Sequence, residues 1–314
     1  IINQLIMKFF FIILGILCFY ANASAQYDNQ FYHPQKDWIP CQLPVYEEIY
    51  FHPQTDTLYS LLCKPQGRPK ATLFYIHGNS GNISYHSGLI NTFVKAGFQV
   101  FIADFRGYGK SSGHPTHLNI AADGQLILDS LLKRPDVENT TFILYGASIG
   151  TQLATKLAKD NQDKIDALVL EGGMSSFTDI ALQSIPEEQR EMARPFLIFP
   201  YSAKTDITAI NRLPKLIIHS PDDETVPYRQ AQEVFQKAPE PKYFLQSRGK
   251  HLEAIKIEPD TIIKAIQNLI QLKKENDENH SKFITQITSK VILPATVHLY
   301  CHDAVSPVYQ LYLL

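Results

Sequence analysis

Apolar and polar positions change rhythm along this chain, and each change predicts a different element. Residues 45–51 and 57–63 alternate, with the period of a strand wetted on one face, and the turn residues Pro53 to Asp56 separate them. A hairpin is expected there. From residue 71 the alternation gives way to unbroken apolar runs: Ala71-Thr-Leu-Phe-Tyr-Ile76, Gln99-Val-Phe-Ile-Ala103, Thr141-Phe-Ile-Leu-Tyr145, Ala167-Leu-Val-Leu170, Lys215-Leu-Ile-Ile218 and Tyr243-Phe-Leu245. Such runs suit strands covered on both faces. Between them, in 84–96, 117–133, 149–160, 227–237 and 259–273, apolar side chains recur at three-to-four spacing; Asp123, Leu126, Ile127 and Leu131 mark one such helical face. Strand and helix in alternation predict an α/β fold, a mostly parallel sheet with helices on both faces.

Residues 174–213 interrupt that alternation and are expected to form a small helical lid. The domain is expected to span 45–275, preceded by a Pro- and aromatic-rich surface lead-in at 26–44 and followed by a tail at 276–314 to which no chemistry is assigned. At the N-terminus, Lys8, the apolar run Phe9 to Tyr20 and Ala23-Ser-Ala25 have the order of an export signal, with Met7 as its start and cleavage after Ala25. The run is short for a membrane span, so a retained N-terminal anchor is the alternative. Export would place the chain in an oxidising compartment and permit a Cys41–Cys63 disulfide; two buried thiols are the other reading. Cys41, Cys63 and Cys301 are too scattered for a zinc site.

Composition narrows the function classes. Across 314 residues, 45% are hydrophobic and 19% charged, enough to bury a core, and the formal net charge of −2 comes with no basic cluster. Nucleic acid is therefore not an expected partner.

The chemistry-bearing signal is Gly146-Ala-Ser-Ile-Gly150, a G-x-S-x-G string placed after the apolar run 141–145 and before the helical stretch 149–160. A strand that turns sharply into a helix presents a Ser at its apex as a nucleophile, beside free N–H groups and the positive end of a helix dipole. Ser148 is the expected nucleophile and the Ile149 amide one oxyanion donor. Ser111, Ser112, Ser175 and Ser176 lack that setting and read as turn or cap residues. The loop His77-Gly-Asn-Ser-Gly-Asn82 follows the first buried strand and is expected to give the second donor from Asn79, with Ser80 as the alternative. His77 reads as a structural histidine.

A serine nucleophile on this fold needs a later acid and then a histidine. His251, after 243–245 and the short Ser247-Arg-Gly-Lys250 loop, is the expected base; His219 at a strand end reads as loop packing. Asp223 is preferred to Asp222 as the acid because of its spacing to Val226-Pro227, a helix start. Glu171, at the end of 167–170, is a rival acid, and Asp104 is expected to brace a loop. This chemistry calls for no cofactor and no metal.

His77-Gly-Asn-Ser-Gly-Asn82, Asp104-Phe-Arg-Gly-Tyr-Gly-Lys-Ser-Ser-Gly113, Gly146-Ala-Ser-Ile-Gly150 and Asp223-Glu-Thr-Val-Pro227 together resemble the α/β-hydrolase-domain proteins over about residues 45–272. The likeness is to the branch with depalmitoylating enzymes and BEM46-like proteins, and to bacterial hydrolases grouped with the S33 serine aminopeptidases. The resemblance implies the α/β-hydrolase fold and a Ser-Asp-His triad. Ser220 and Lys250 stand where family members commonly carry glycine. The apolar lid (Phe177, Ile180, Leu182, Phe196 to Phe199) would favour a lipid-like acyl substrate and peripheral membrane contact, although the same residues would also pack a lid onto its core. An esterase or thioesterase is expected; a peptidase and a non-catalytic binding protein on a hydrolase scaffold are the alternatives.

Overall fold

The computed structural model describes residues 28–272. The proposed export signal and tail lie outside those residues, as do Cys18, Cys301, His280, His298 and His302.

The alternating segments form the expected hairpin, β1 (Tyr46–Phe51) and β2 (Leu58–Cys63), paired antiparallel and closed by a turn in which the Asp56 amide donates to the Pro53 carbonyl at 3.1 Å. The apolar runs become β3 (Thr72–Ile76), β4 (Gln99–Ala103), β5 (Phe142–Ala147), β6 (Ala167–Glu171), β7 (Lys215–His219) and β8 (Lys242–Gln246). One eight-stranded sheet results, in the order β1-β2-β4-β3-β5-β6-β7-β8, parallel from β4 onward. The chain reverses direction across the sheet at β3, so the loops after β3 and β5 leave side by side at the carboxyl edge, the usual ligand edge of such sheets.

After a single turn at 28–31 (α1), the helices that cover this sheet are α2 (Ile83–Lys95), α3 (His117–Leu131), α4 (Gly150–Asp160), α8 (Tyr228–Lys237) and α10 (259–272). Strand side chains alternate between two buried clusters. Phe74 and Ile76 join α3, α4 and α8 on one face, while Leu73 and Tyr75 join α2 and α10 on the other. Caps set two of the helix starts: the Asn82 side chain accepts from the Ser84 amide, and Thr116 and Asn119 form a reciprocal capping box. On α3 the expected face is corrected at one position. Asp123, Ile127 and Leu131 are buried, but Leu126 is 40% exposed, because 127 and 131 repeat every four residues from 123 and 126 falls outside that stripe. Asp123 tolerates burial because the guanidinium of Arg106 grips both its oxygens at 2.7 and 2.8 Å.

Residues 174–213 hold α5 (Phe177–Gln183), α6 (Glu187–Ala193), α7 (Ala203–Asp206) and two 3₁₀ turns. The lead-in is not wholly superficial, as its composition implied. Phe31 and Tyr32 are buried against His117, Phe177 and Tyr201, so aromatic rings tie this N-terminal strap to the lid. Cys41 and Cys63 are free thiols, Cys63 buried and Cys41 half-buried. Among the described residues no helix is long and apolar enough to cross a membrane.

Within the ring cluster, His117 Nδ1 lies 3.0 Å from the Tyr32 hydroxyl, the His117 amide donates to Asp28 at 2.9 Å, and burial pushes the imidazole down to about 4. An unfolded chain would take up that proton near 6.5, so acidification favours unfolding and the stability due to the neutral ring is lost as pH falls below 6.5. His117→Gln removes this titration. In urea unfolding, wild type should lose about 2 kcal/mol more than the variant between pH 7 and pH 5; parallel losses would refute a buried neutral His117.

Candidate active site

Strand β5 ends at Ala147 and α4 begins at Gly150, leaving Ser148 to make the reversal. Its φ is +54°, in the left-handed region that β-substituted residues rarely adopt. The two flanking glycines make the turn sterically feasible. A Cβ on Gly150 would stand 2.2 Å from the Ile76 carbonyl oxygen, and one on Gly146 would stand 2.7 Å from the Thr151 Cα. The Ser148 amide donates to the Glu171 carbonyl at 2.9 Å, which ties the apex to β6.

The structure brings together Ser148, His251 and Asp223, which are remote in sequence. His251 Nε2 is 2.9 Å from Ser148 Oγ, and His251 Nδ1 is 2.7 Å from Asp223 Oδ2. The other Asp223 oxygen accepts from the amides of Thr225 and Val226, both at 2.9 Å. Burial raises the Asp223 carboxyl, but the His251 hydrogen bond and those two amides outweigh it and hold the group below its ordinary range. With Asp223 ionised, Nδ1 of His251 carries a proton and Nε2 is free to accept one from Ser148.

The other sequence candidates fall into supporting places. Asp222 is exposed, and its amide is taken by Ser220 Oγ. Glu171 is buried beneath the site, but one of its oxygens accepts the Tyr145 hydroxyl at 2.5 Å, and no hydrogen bond links it to His251. Burial raises its carboxyl. His219 packs the acid loop, with Nε2 2.9 Å from the Val226 carbonyl. His77 is a buried loop histidine, pushed down to about 3 by burial; Nδ1 donates to the Gly78 carbonyl at 2.6 Å and Nε2 accepts the Phe105 amide at 3.2 Å. Asp104 braces its loop by accepting the Ile83 amide at 2.7 Å. Ser111 and Ser112 hold turns, Ser176 caps α5, and Ser175 bonds Asp179. Lys250 is no obstacle, since the left-handed positions of its loop are Gly249, with φ +91°, and Leu252, with φ +57°.

Ile149 lies at the start of α4, where first-turn amides lack intrahelical acceptors. Gly78 brings the opposite loop against Ser148, a Cβ there lying 3.3 Å from that of Ser148, and Asn79, Ser80 and Ile149 all line the cavity above the serine. That cavity has a volume of about 910 Å³. Its apolar wall includes Met174, Ile180, Ile185, Phe196 and Leu197, and among the described residues no carboxylate, ammonium or guanidinium lines it. Among the described residues no cluster of side chains could hold a metal.

Sequence reasoning missed the strap and Tyr108. Gln30 and Phe31 line the cavity, the His33 amide donates to Asn79 Oδ1 at 2.8 Å, and the Tyr108 hydroxyl donates to the same oxygen at 2.6 Å. The aromatic pair Phe31-Tyr32 was the available signal for the strap. Nothing local in the sequence marks Tyr108 as a partner of Asn79.

Residues 71–206 match the family model described as alpha/beta hydrolase fold. YfhR of Escherichia coli K12 is 31% identical over 192 residues, 60% of this chain and 66% of YfhR. Bem46 of Schizosaccharomyces pombe is 36% identical over 52% of this chain and 54% of its own length, so the chain spans only about half to two thirds of these relatives. Among solved structures, the Pyrococcus furiosus esterase Pf2001 superposes with a TM-score of 0.61 at 16% identity, covering 76% of this chain and 98% of the esterase. The chain has the α/β-hydrolase fold and is similar to α/β-hydrolase-domain proteins. In this fold, β2 is the antiparallel strand between β1 and β4, and the serine elbow follows β5 at the centre of the sheet.

Two variants separate the roles. Asp223→Asn should lower kcat on an activated ester by about 10³- to 10⁴-fold, whereas Glu171→Gln should change it less than about tenfold; the reverse ranking would make Glu171 the acid. Gly150→Ala should destabilise the fold by at least about 3 kcal/mol or prevent soluble expression, read by chemical denaturation. Wild-type stability in that variant would mean that the β3–α4 approach is looser than described.

Proposed function

We propose that this α/β-hydrolase cleaves ester or thioester bonds of apolar acyl groups through an acyl-serine intermediate. The observation that carries the reading is the Ser148–His251–Asp223 chain of contacts, at 2.9 and 2.7 Å, beneath a cavity that no carboxylate, ammonium or guanidinium lines among the described residues. Ser148 Oγ attacks the acyl carbon while its proton passes to His251 Nε2. Asp223 holds the ring and stabilises the imidazolium that forms. The carbonyl electrons move onto oxygen, and the amides of Asn79 and Ile149 hold that oxyanion. Collapse expels the leaving oxygen or sulfur, which takes the proton from His251. Water then attacks the acyl-serine, gives a proton to His251, and releases the carboxylic acid as Ser148 recovers its hydrogen.

The cavity wall favours this over peptide cleavage from an amino terminus. A free α-ammonium group needs an acidic partner, and among the described residues no carboxylate lines the cavity. Met192, Phe196 and Ile198, each 71 to 72% exposed, place apolar surface on the lid, in keeping with a lipid-like substrate. The hydrolase fold and the likeness to esterases support hydrolysis at the coarser level. For the cell, we propose export with cleavage after Ala25.

A fluorophosphonate probe should label wild type, and labelling should vanish in folded Ser148→Ala. Across p-nitrophenyl esters, kcat/KM should rise by about tenfold or more from acetate to octanoate as methylenes fill the apolar wall. Unlabelled, folded wild type would point to a non-catalytic binding protein, and a preference for acetate would refute the acyl-chain assignment.

A further inference from the structure

Behind the lid, on the other side of α5 from the acyl cavity, lies a second cavity of about 310 Å³ between α5, α6 and α8. Its wall carries three guanidinium groups, from Arg190, Arg194 and Arg229. Arg229 is exposed and has no ion pair among the described residues. Arg190 spends its Nε on the Ile185 carbonyl at 3.0 Å. Arg194 touches Asp179 at 3.7 Å and Glu191 at 3.1 Å, and Glu191 is largely in solvent.

Two amide groups make this more than a basic patch. Gln230 is only 4% exposed, and its Oε1 is engaged by the Ser175 amide at 2.9 Å and the Ser175 hydroxyl at 3.2 Å. That fixes which end of the amide is oxygen, and leaves its NH₂ buried without an acceptor. The Gln183 NH₂, on the facing helix α5, is likewise buried without an acceptor. Both residues line this cavity. An unsatisfied buried donor is costly, and two on residues that line one cavity are places where an acceptor from outside the protein would be favoured.

The carboxylates present do not fill that role. Lys204 bridges Asp179 at 2.5 Å and Glu233 at 3.5 Å, so both acids already have a cation. Counting Lys204 and Glu191, four cations stand among three carboxylates, a net positive balance that favours an anion. We propose that this cavity is a binding site for a phosphoryl dianion, whose oxygens accept from the Gln183 and Gln230 amides and pair with Arg229 and Arg190. Guanidinium forks and amide N–H groups suit a tetrahedral oxyanion with several acceptors. The donors come from α5 and α6 of the lid and from α8, so the bound group ties the lid to α8. Ile180 and Ala181 of α5 line the acyl cavity, while Asp179 and Gln183 line this one. The site is therefore distinct from the acyl cavity but shares a wall with it, and the inference does not rest on the hydrolase reading.

The phosphoryl group could be free phosphate, a soluble phosphate ester or a lipid headgroup, and three probes distinguish them. Ser148→Ala protein, which cannot turn over an ester, is titrated by calorimetry with inorganic phosphate, with glycerol phosphate, and with phosphatidic acid vesicles against phosphatidylcholine vesicles. All runs are matched in ionic strength with sodium chloride. The expected result is saturable binding at one site for at least one probe, with a rise in Tm. Arg229→Ala and Gln183→Leu should each weaken it about tenfold, and Arg229→Lys should do so less. Arg229 is exposed, so its variants should keep the wild-type Tm in chloride and remain readable even where Gln183→Leu misfolds. Binding of phosphate alone names the free ion, binding of glycerol phosphate as well names a soluble ester, and binding of phosphatidic acid alone names a lipid headgroup. No saturable binding by any probe, or undiminished binding in folded Arg229→Ala, overturns the proposal. Phosphate binding by a chain that hydrolyses no ester would remove only the hydrolase reading.

Discussion

The close approach of α4 to the end of β3 is the constraint on which the rest of the site depends. Gly150 sits where any side chain would strike the Ile76 and His77 carbonyls. Because nothing intervenes, the loop after β3 lies directly against Ser148, and Gly78, Asn79 and Ser80 come within reach of the same reacting centre. The positive φ of Ser148 is part of the same geometry. A relaxed backbone would turn more gently, lower the hydroxyl into the sheet and push the two loops apart. The strain is held in place by the Ser148 amide on the Glu171 carbonyl and by the packing of Gly146 against Thr151 and Ala154.

Around this elbow, polarity is distributed unequally. Beneath the serine lie buried ionisable groups, each with a partner that fixes it: Asp223 on two amides and His251, Glu171 on Tyr145, Asp104 on the Ile83 amide. Above it the cavity wall is largely apolar. A low-dielectric roof strengthens the electrostatic contacts made beneath it, such as that between His251 and Asp223. The roof is assembled from distant parts of the chain. The strap at 28–33 contributes Phe31, the lid contributes Ile180 and Phe196, and the ring cluster around His117 and Phe177 joins strap to lid. The same strap holds the Asn79 side chain through the His33 amide, so the cavity wall and the loop after β3 are mechanically connected.

Much of this was legible in sequence, for reasons that are local. Short continuous apolar runs bounded by turn residues suit strands covered on both faces, so β3 to β7 were readable to within a residue or two, whereas β8, read the same way, is an edge strand with Tyr243 exposed. G-x-S-x-G between such a run and a helical stretch specifies a tight elbow, since two residues without side chains are needed around a serine at positive φ. That Asp223 and His251 would meet near the elbow was readable from chain direction: a parallel sheet delivers the loops after β7 and β8 to the same edge as the elbow. The contact of Asp223 rather than Asp222 with His251 was also local, because Asp223, three before Val226, caps that turn with one oxygen and turns the other to His251.

What remained was decided by packing between segments with no sequence relation. Composition left the strap as surface, because burial of Phe31 and Tyr32 depends on a ring cluster drawn from residues 117, 177, 199 and 201. Tyr108 finds Asn79 only because two sheet-edge loops meet. Glu171 was a rival acid in sequence; the structure gives one of its oxygens to Tyr145 on the neighbouring strand and sets Asp223 against His251. The chain order alone determined the sheet, the elbow and which loops share an edge, since these follow from periodicity and from steric rules that act within a few residues. Which side chains touch across that edge, and what walls the cavity, was decided by tertiary structure, because such contacts depend on distances that no short stretch of sequence encodes.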